Sequence, residues 1–265
     1  MRKPAVVLCV GGSDSGAGAG IQADLKAVAA CGCYAATVVT ALTAQNTRGV
    51  QAVFPVPGKA IAAQIASVVS DIGAAAVKTG MLPSGAAVAA VAEMIIRHRL
   101  QNVVVDPVMI AKGGRRVMQE NAQRTLVRKL LPLARVVTPN IPEAEALTGM
   151  KIRSVAAMKD AAARIARLGA KNVVVKGGHL VQSRRDGSVD VLYDGRRCRE
   201  FGADWIDTPH THGTGCTFAA ALAAGLAQGK SVAGAVAQAK KMITRAIERS
   251  LTLGKGRGPV NVLSL

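Results

Sequence analysis

The chain carries a glycine-rich turn, Gly-Thr-Gly-Cys at residues 213–216, that runs directly into an alanine-rich apolar segment. Glycines let a ligand approach the backbone, and the free N–H groups and dipole at a helix start bind anions. Cys216 would stand in that positive field, which is expected to lower the pKa of its thiol and favour the thiolate. Such a thiolate could act as a nucleophile of the hydrolase type, or as a base that takes a proton from a substrate hydroxyl during phosphate transfer. An inert core cysteine is the alternative, although core burial requires no glycines ahead of it.

Charged residues stand at the ends of predicted strands and at a predicted helix start. Asp106 follows one NVVV run, and Lys176 follows a second. Asn140 and Glu143 fit an N-cap followed by an acid in the first helical turn. With Asp106, Glu143 could instead hold hydrated Mg²⁺. Lys176 is either a lysine whose ammonium reaches solvent or a cation that neutralises charge on a transferred phosphate.

Two further glycine patterns imitate nucleotide-binding motifs. Residues 18–23 fit the dinucleotide pattern G-x-G-x-x-A, but the second predicted strand ends in TALTAQNT, without the acidic residue that would hold a ribose. A nicotinamide dehydrogenase is therefore disfavoured, and residues 11–20 are interpreted as a loop that approaches a small ligand. The segment GLAQGKS at 225–231 is one residue short of a Walker A loop and follows a helix, so that motif is rejected.

Short valine-rich runs alternate with longer helical patterns, which predicts the elements that position these residues. The strand candidates are AVVLCV, ATVVTAL, AAAVKTG, NVVVDPV, ARVVTPN and NVVVKGG. Strands that are apolar on both faces and separated by helices predict a three-layer α/β/α fold with a mainly parallel central sheet. A hairpin is predicted at Asp194-Gly195. Polar residues gather where the strands end, and the carboxyl ends of parallel strands form the ligand crevice of such folds.

Composition bounds the class of protein. The chain has 265 residues, half of them hydrophobic, which suits a single domain spanning residues 1–265. Lys and Arg outnumber Asp and Glu by 34 to 16, which gives a net charge of +18. The basic residues are scattered as short pairs and aromatics make up only 2%, so nucleic acid is not the expected partner. A basic nucleic-acid-binding protein, with steeply salt-dependent affinity, is the alternative from a different class.

Cysteine usage and hydropathy indicate the compartment. The five cysteines are odd in number and contain no C-x-x-C pair, which argues against a disulfide framework or a structural zinc site. A reducing, cytoplasmic setting is the expectation that follows. The first apolar run is about six residues long, which predicts a buried strand rather than a signal peptide. No apolar run reaches the roughly 18 residues of a membrane span, so no membrane association is expected.

Segments in order from about residue 6 to about residue 261 closely resemble bacterial hydroxymethylpyrimidine/phosphomethylpyrimidine kinases of thiamine synthesis, in the ribokinase superfamily. These segments are GSDSGAGAGIQADLK, TALTAQNTRGVQ, KTGML, VVDPVM, TPNIPEAEALTG, VVKGGHL, HTHGTGCTFAAALAAGLAQG and GKGRGPVN. The resemblance implies a ribokinase-like fold and ATP-dependent phosphorylation of 4-amino-5-hydroxymethyl-2-methylpyrimidine on its 5-hydroxymethyl group, and then of the monophosphate. Pyridoxal or pyridoxine kinase, of the same superfamily, is the alternative. Most sugar kinases of the superfamily carry an aspartate where this chain has Cys216.

The resemblance also implies roles for residues that contact the substrate. Gln45 would hydrogen-bond the aminopyrimidine, because an amide satisfies a ring nitrogen and an exocyclic amine together. Asp24, Gly12 and Met81 would line the same pocket, and Cys216 would be the base. The anion hole would be formed by the backbone amides of Gly213, Thr214, Gly215 and Cys216.

The nucleotide side of the site follows from the same resemblance. Lys176 and Asn140 would contact the phosphates of ATP, while Asp106 and Glu143 would hold hydrated Mg²⁺. Met242 would pack near adenine. The resemblance further implies a homodimer that acts on a small-molecule substrate.

Three stretches depart from the family pattern. The first loop, residues 14–17, reads Asp-Ser-Gly-Ala, where the family has a proline after the aspartate and paired glycines before Ala-Gly. The segment 109–120, MIAKGGRRVMQE, is more basic than the family's flap, and Arg115 with Arg116 could favour the phosphorylated second substrate. The C-terminal GPVNVLSL lacks the histidine that commonly follows the asparagine. These differences bear on lid behaviour and substrate breadth more than on the reaction.

Overall fold

The computed structural model describes residues 3–110, 117–178, 180 and 187–263. Within them, nine strands form one sheet in the order β3-β2-β1-β4-β5-β6-β7-β8-β9. The strands are β1 (Val6–Asp14), β2 (Tyr34–Asn46), β3 (Gly49–Pro55), β4 (Ala76–Thr79), β5 (Val103–Val105), β6 (Val136–Val137), β7 (Val173–Val175), β8 (Ser188–Tyr193) and β9 (Cys198–Ala203). Arg115 and Arg116, on which the substrate-breadth hypothesis rests, lie outside the described residues.

The helices are α1 (Gly20–Ala30), α2 (Gly58–Asp71), α3 (Gly85–Arg97), α4 (Glu120–Thr125), α5 (Ile141–Thr148), α6 (Val155–Ala166), α7 (Thr214–Ala227) and α8 (Val232–Glu248). Helix α4 continues through a π turn, Leu126–Leu130, and a 3₁₀ turn, Leu131–Leu133. In the part of the chain that the structure describes, no helix has both the length and the apolar character that a bilayer span requires.

The central strands of the sheet are parallel, as the alternation of strands and helices predicts. Neighbours β2, β1, β4, β5, β6 and β7 all pair in parallel. Antiparallel strands complete both edges, with β3 on β2 at one side and the β8–β9 hairpin on β7 at the other. The hairpin turn lies at Asp194 and Gly195, where Gly195 has φ +90°, as predicted. Strand β3 and helix α2 are additions that the valine-rich pattern does not predict.

Helices cover both faces of the sheet. Side chains alternate between faces along each strand, so Ala76 contributes to the core beneath α7 and α8, while Val77 contributes to the core on the opposite face. Helix α7 is buried along its body, from Thr217 to Leu226. Its alanines and Gly225 allow close packing, since a Cβ on Gly225 would lie 2.9 Å from the Cβ of Ala235 on α8. This three-layer α/β/α arrangement confirms the predicted fold class.

The strand order creates a crevice at the carboxyl ends of β1 and β4. The chain passes from β1 outward to β2 and β3, and then returns to the other side of β1 to form β4. Because the connections diverge there, the two strand ends leave a switch point, which is where open α/β sheets bind ligands. Gly12 of β1 and Met81, just after β4, lie side by side at this point, since a Cβ on Gly12 would be 3.0 Å from the Met81 Cε.

Candidate active site

A row of polar side chains faces α7 from the carboxyl edge of the sheet. Val104 and Val174 lie in the core beneath α7, so the period of two places Asp106 and Lys176 on the same face, one step closer to the edge. The Lys176 Nζ lies 2.8 Å from Asp106 Oδ1, and the Thr138 hydroxyl lies 3.2 Å from the same oxygen. The structure therefore brings together a lysine and a carboxylate 70 residues apart in sequence.

The glycine turn 213–216 points the N-terminus of α7 at this ion pair. Gly213 is the N-cap of α7 with φ +82°, a left-handed conformation that favours glycine. The first i→i−4 bond of the helix is donated by Thr217 to Gly213, so the amides of the intervening residues belong to the partly buried first turn and have no i−4 partner inside the helix. A Cβ on Gly215 would lie 3.4 Å from the Lys176 Nζ and 3.7 Å from Asp106 Oδ2. A phosphate at this turn would meet helix amides and an ammonium together.

The protonation state of Cys216 contradicts the prediction from the sequence. Burial raises the pKa of the Cys216 thiol to about 11, and Asp24 and Asp106 raise it further, while Lys78 and a hydrogen bond from the Gly20 N–H lower it. The helix N-terminus was expected to lower this pKa. The prediction was wrong because partial removal of the sulfur from water disfavours the thiolate. Cys216 is therefore a thiol in the resting protein at neutral pH.

Asn140 and Glu143 form a capping box at the start of α5. The Glu143 N–H donates to Asn140 Oδ1 at 2.9 Å, and the Asn140 N–H donates to Glu143 Oε2 at 2.8 Å. Burial raises the pKa of the same Glu143 carboxylate to about 7. The charge of Lys176 acts to lower this pKa, and the charge of Asp106 acts to raise it. Glu143 thus serves the helix cap and also stands within the electrostatic field of the Lys176–Asp106 pair.

On the substrate side, Gln45 belongs to a hydrogen-bond network at the first loop. The His212 Nε2 lies 3.0 Å from Asp14 Oδ2 and 3.2 Å from the Gln45 amide. One ring nitrogen cannot donate to a carboxylate and accept from an amide N–H together. The network is satisfied when His212 donates to Asp14 and Gln45 turns its carbonyl oxygen towards the ring. The Gln45 NH₂ group then faces the hydroxyl oxygen of Thr43. The Thr43 hydroxyl donates its own hydrogen to the Ser13 carbonyl at 2.8 Å.

Asp14 holds the first loop in place. Its carboxylate accepts hydrogen bonds from the N–H groups of Gly16, Gly18 and Ala19. Burial alone would raise the Asp14 pKa, but His212 and these amides outweigh burial and hold the pKa below its usual value. The carboxylate therefore stays ionised and fixes the loop that contacts the glycine turn of α7.

Asp24, to which the resemblance gives a place in the substrate pocket, is part of a buried ion pair in the structure. Its side chain is entirely buried, and both carboxylate oxygens lie 2.8 Å from the Lys78 Nζ. Lys78 is also entirely buried. Both oxygens are engaged by one ammonium, and the role of Asp24 in the substrate pocket stays a prediction.

Met242 is likewise separated from the other candidate residues. It belongs to the core between α8 and α1, and its Sδ lies 3.7 Å from the Sγ of Cys31. Cys31 follows the C-terminal end of α1, whereas Gly20 at the other end contacts the site. Eleven residues of helix separate the two ends by about 16 Å. The assignment of Met242 to an adenine pocket stays a prediction.

Three residues without a predicted role belong to the site. Lys78 is a charged residue within the buried strand β4, and that position alone could have identified it from the sequence as a candidate site residue. Asp14 precedes Ser-Gly in a turn, where an aspartate commonly accepts backbone N–H groups. His212 carries no distinguishing signal in the sequence. Its contact with Asp14, 198 residues away, depends on the folded chain.

The close approach of the glycine turn to the first loop gives a testable expectation. A Cβ on Gly213 would lie 1.9 Å from the Gly18 carbonyl oxygen. Gly213→Ala therefore combines left-handed backbone strain of about 1–3 kcal/mol with a backbone clash. We expect its melting temperature to fall by about 5 °C or more. Gly229→Ala, at the other end of α7, is the matched control because Gly229 has φ +83° and nothing within 4 Å of an added Cβ. Equal losses in a calorimetric comparison would contradict the contact.

Comparison with known proteins places this geometry in a family. Residues 14–261 match the profile of the phosphomethylpyrimidine kinase family. A hydroxymethylpyrimidine/phosphomethylpyrimidine kinase of Haemophilus influenzae is 48% identical over 257 residues, covering 96% of this chain and 95% of that protein. A thiamine biosynthesis bifunctional protein of Geobacter sulfurreducens is 52% identical over 96% of this chain, which spans about half (51%) of that longer protein.

A solved structure agrees with the sequence relatives. The ADP complex of a Bacillus subtilis pyridoxal kinase superposes with a TM-score of 0.91 at 42% identity, covering 98% of this chain and 97% of that one. The Haemophilus influenzae relative and the solved structure are named as kinases, which transfer phosphate. The glycine turn facing a lysine–carboxylate pair is suited to that chemistry. With the profile matched from the first loop to the C-terminal segment, the chain belongs to the phosphomethylpyrimidine kinase family and is a phosphotransferase.

Proposed function

We propose that this chain transfers the γ-phosphoryl group of ATP to the 5-hydroxymethyl group of 4-amino-5-hydroxymethyl-2-methylpyrimidine, and then phosphorylates the monophosphate in thiamine diphosphate synthesis. The names of the relatives support this substrate. The observation that carries the proposal is the position of the turn 213–216, which lies against the Lys176–Asp106 pair. The turn is also joined, through Gly18 and Asp14, to the loop beside the switch-point crevice.

The reaction demands positioning and charge stabilisation more than covalent chemistry. We assign the amides of Gly213, Thr214, Gly215 and Cys216 to the negative charge on the transferred phosphoryl group. Lys176, whose pKa is raised because Asp106 and Glu143 outweigh its burial, stays protonated and neutralises the phosphates of ATP. Asn140 pairs through its backbone with Lys176 and borders the same phosphates. Cys216, in the first turn of α7, first gives its own proton to solvent and then, as the thiolate, takes the proton of the substrate hydroxyl.

The residues present fit a hydrated Mg²⁺. Two buried carboxylates, Asp106 and Glu143, share one ammonium, Lys176. Burial and the neighbouring Asp106 raise the Glu143 pKa to about 7, and a divalent cation beside this carboxylate would stabilise its ionised form. Mg²⁺ prefers oxygen ligands and is held by one or two carboxylates with waters and substrate phosphates. When bound, the ion would neutralise negative charge on the phosphates of ATP, and Asp106 and Glu143 would hold it.

A matched pair of glutamine variants tests recognition of the pyrimidine. Gln45→Leu removes the amide that we assign to the aminopyrimidine. When a recognition site loses a polar group that pairs with the substrate, kcat/KM falls by about 10- to 100-fold. We expect that loss for hydroxymethylpyrimidine, with the KM for ATP unchanged. Gln51→Leu, on the exposed side of the adjacent strand β3, should leave both constants within about twofold. Similar losses in the two variants would remove Gln45 from the pocket.

A single ADP-release assay tests the proposed reaction. The acceptors are hydroxymethylpyrimidine, its monophosphate, pyridoxine and none. The proposal predicts ADP release with the first two acceptors well above the rate without acceptor. Preference for pyridoxine would favour pyridoxal kinase, the second candidate, which the superposition with the Bacillus subtilis enzyme supports. A homodimer, which the family resemblance implies, and a cytoplasmic location, which the cysteine usage predicts, both stay predictions.

A further inference from the structure

The sheet carries a row of cations along the edge where its parallel strands begin, opposite the candidate active site. The β8–β9 turn lies at this amino edge too, since β8 ends where β7 begins. The four connections there, residues 98–102, 134–135, 167–172 and 194–197, contain six arginines and lysines and a single carboxylate, that of Asp194. In the sequence these cations form scattered short groups, and nucleic acid was therefore not expected as a partner. The fold places them side by side.

Backbone contacts fix the order of the cations along the amino edge. The Lys171 N–H donates to the carbonyl of Ala134, the residue before Arg135, at 3.2 Å. A Cβ on Gly195 would lie 3.7 Å from the Lys171 carbonyl oxygen. Arg135, Lys171 and the arginines of the β8–β9 turn are therefore neighbours across successive strand ends.

Helix stability accounts for only two of the six cations. Arg99 and Arg167 follow the C-terminal ends of α3 and α6, where the helix dipole favours a positive charge. The other four belong to no helix, and no such local term requires them. We call these four the basic row: Arg135, Lys171, Arg196 and Arg197.

The basic row is open to solvent, and its one carboxylate is used by the turn. Lys171, Arg196 and Arg197 are exposed, and Arg135 is half-buried with its guanidinium held at the edge by a hydrogen bond to Asn102 Oδ1. Asp194 Oδ1 accepts the N–H groups of Arg196 and Arg197 at 3.1 and 2.9 Å, which shapes the turn. The charge of the row therefore stays strongly positive.

The dimensions of the row match a chain of phosphates. Neighbouring strands lie about 4.8 Å apart, so the row from β6 to β9 spans about 14 Å. One strand of duplex DNA carries a phosphate for about every 3.4 Å of helix axis, so about four phosphates would face the four cations. Three of the cations are arginines, whose planar guanidinium groups pair with phosphate oxygens through two hydrogen bonds. A single small anion would engage only part of the row.

The residues beside the cations favour nucleic acid over a membrane surface. Surfaces that bind lipid combine cations with apolar side chains that enter the bilayer. Here the neighbours are polar or small, namely Asn102, Asn172 and Gly195, and the Asn172 side chain donates to the Arg135 carbonyl at 2.8 Å. Leu100 and Leu168, in the same connections, pack against the core instead.

We propose that the basic row binds the phosphate backbone of nucleic acid without reading its base sequence. The Tyr193 hydroxyl donates to the Gly195 carbonyl at 3.0 Å, so the aromatic residue of the turn is engaged within the turn rather than offered to a base. Lys171 and Lys176 flank β7 at its two ends, about 16 Å apart along the strand. Nucleic acid and ATP therefore bind at opposite edges of the sheet, and the role does not depend on which pyrimidine the kinase accepts.

The test is the fluorescence anisotropy of a labelled duplex of about 20 base pairs, titrated with protein between about 50 and 200 mM KCl. Four neutralised phosphates predict a slope of about −4 for log K against log salt. The row variant combines Lys171→Gln, Arg196→Gln and Arg197→Gln, and it should keep wild-type stability because these side chains are exposed. We expect it to bind at least about tenfold more weakly, with a slope shallower by about 2 to 3.

The matched control removes the same net charge away from the basic row. It combines Lys59→Gln, Lys255→Gln and Arg257→Gln, all at exposed positions. Lys59 lies in the first turn of α2, which follows β3 at the opposite end of the strand order. The Arg257 N–H donates to the carbonyl of Thr47, which follows the carboxyl end of β2, at 2.8 Å. The control should keep the wild-type affinity and slope. Equal weakening in the two triple variants would mean that net charge alone attracts the duplex, and it overturns the proposal.

Two further measurements identify the partner and its place. Saturating ATP, added at constant ionic strength, should leave the duplex bound, whereas displacement by ATP would place the duplex at the kinase site and overturn the proposal. Sedimentation with vesicles of phosphatidylserine and phosphatidylcholine should show no difference between the wild type and the row variant. Loss of vesicle binding in the row variant, with unchanged duplex binding, would identify a membrane as the partner. Absence of duplex binding by the wild type at about 50 mM KCl would also overturn the proposal.

Discussion

Replacing Cys216 by alanine is expected to reduce kcat by about 10²- to 10⁴-fold, the usual contribution of a positioned general base. The alanine keeps the first turn of α7 and its amides, so the dissociation constant for ATP should change by less than about threefold. Steady-state kinetics and calorimetric ATP titration measure the two quantities. Alanine also removes the sulfur that accepts the Gly20 N–H, so a small loss of stability is expected with the loss of rate.

Cys198→Ala is the matched control for this variant. Cys198 is a half-buried free cysteine on β9, away from the glycine turn. It should retain wild-type kcat. Full activity in Cys216→Ala, or an equal loss in Cys198→Ala, would reject the role of Cys216 as the base.

The second large effect is expected at Lys176. Lys176→Met removes the only ammonium bonded to Asp106 among the described residues, and it leaves Asp106 and Glu143 as uncompensated neighbours. We expect kcat/KM for ATP to fall about 10²- to 10³-fold, the range for losing one group that stabilises charge in the transition state. Losing one partner of a buried ion pair also destabilises the fold, so the melting temperature should fall as well.

Lys240→Met separates the catalytic loss from the structural loss. Lys240 is buried and paired with Asp190, and it also donates to the Ser188 carbonyl at 3.0 Å. Its replacement should lower the melting temperature by a similar amount, while kcat/KM stays within about tenfold of wild type. If the two lysine variants lose activity in the same proportion, the role of Lys176 at the phosphates is wrong.

The sequence predicts the architecture well because the fold depends on local patterns. Valine runs that are apolar on both faces predict buried parallel strands, and Asp194-Gly195 predicts the hairpin turn. The same reasoning does not predict strand β3, because β3 is an edge strand whose residues, including Phe54, are half-exposed or exposed. An edge strand needs no continuous apolar run, so its pattern is weak.

The site is less predictable, because its chemistry depends on contacts between distant segments. The glycine turn and its direction follow from local sequence, whereas the ionisation of Cys216 depends on how far the fold removes its sulfur from water. The helix field and burial act in opposite directions, and only the packed structure shows that burial dominates. Asp24 and Lys78 pair across 54 residues, so their ion pair cannot be predicted from the sequence alone.

Single-turnover transfer from γ-labelled ATP to hydroxymethylpyrimidine tests the central claim most directly, which is that the turn 213–216 carries phosphoryl transfer with Cys216 as the base. With enzyme in excess over ATP, the wild type should convert the label to phosphopyrimidine. Cys216→Ala should bind the same amount of ATP and form the same product about 10²-fold more slowly or worse. Equal rates of product formation in the two proteins, or release of the label only as inorganic phosphate, would contradict the claim.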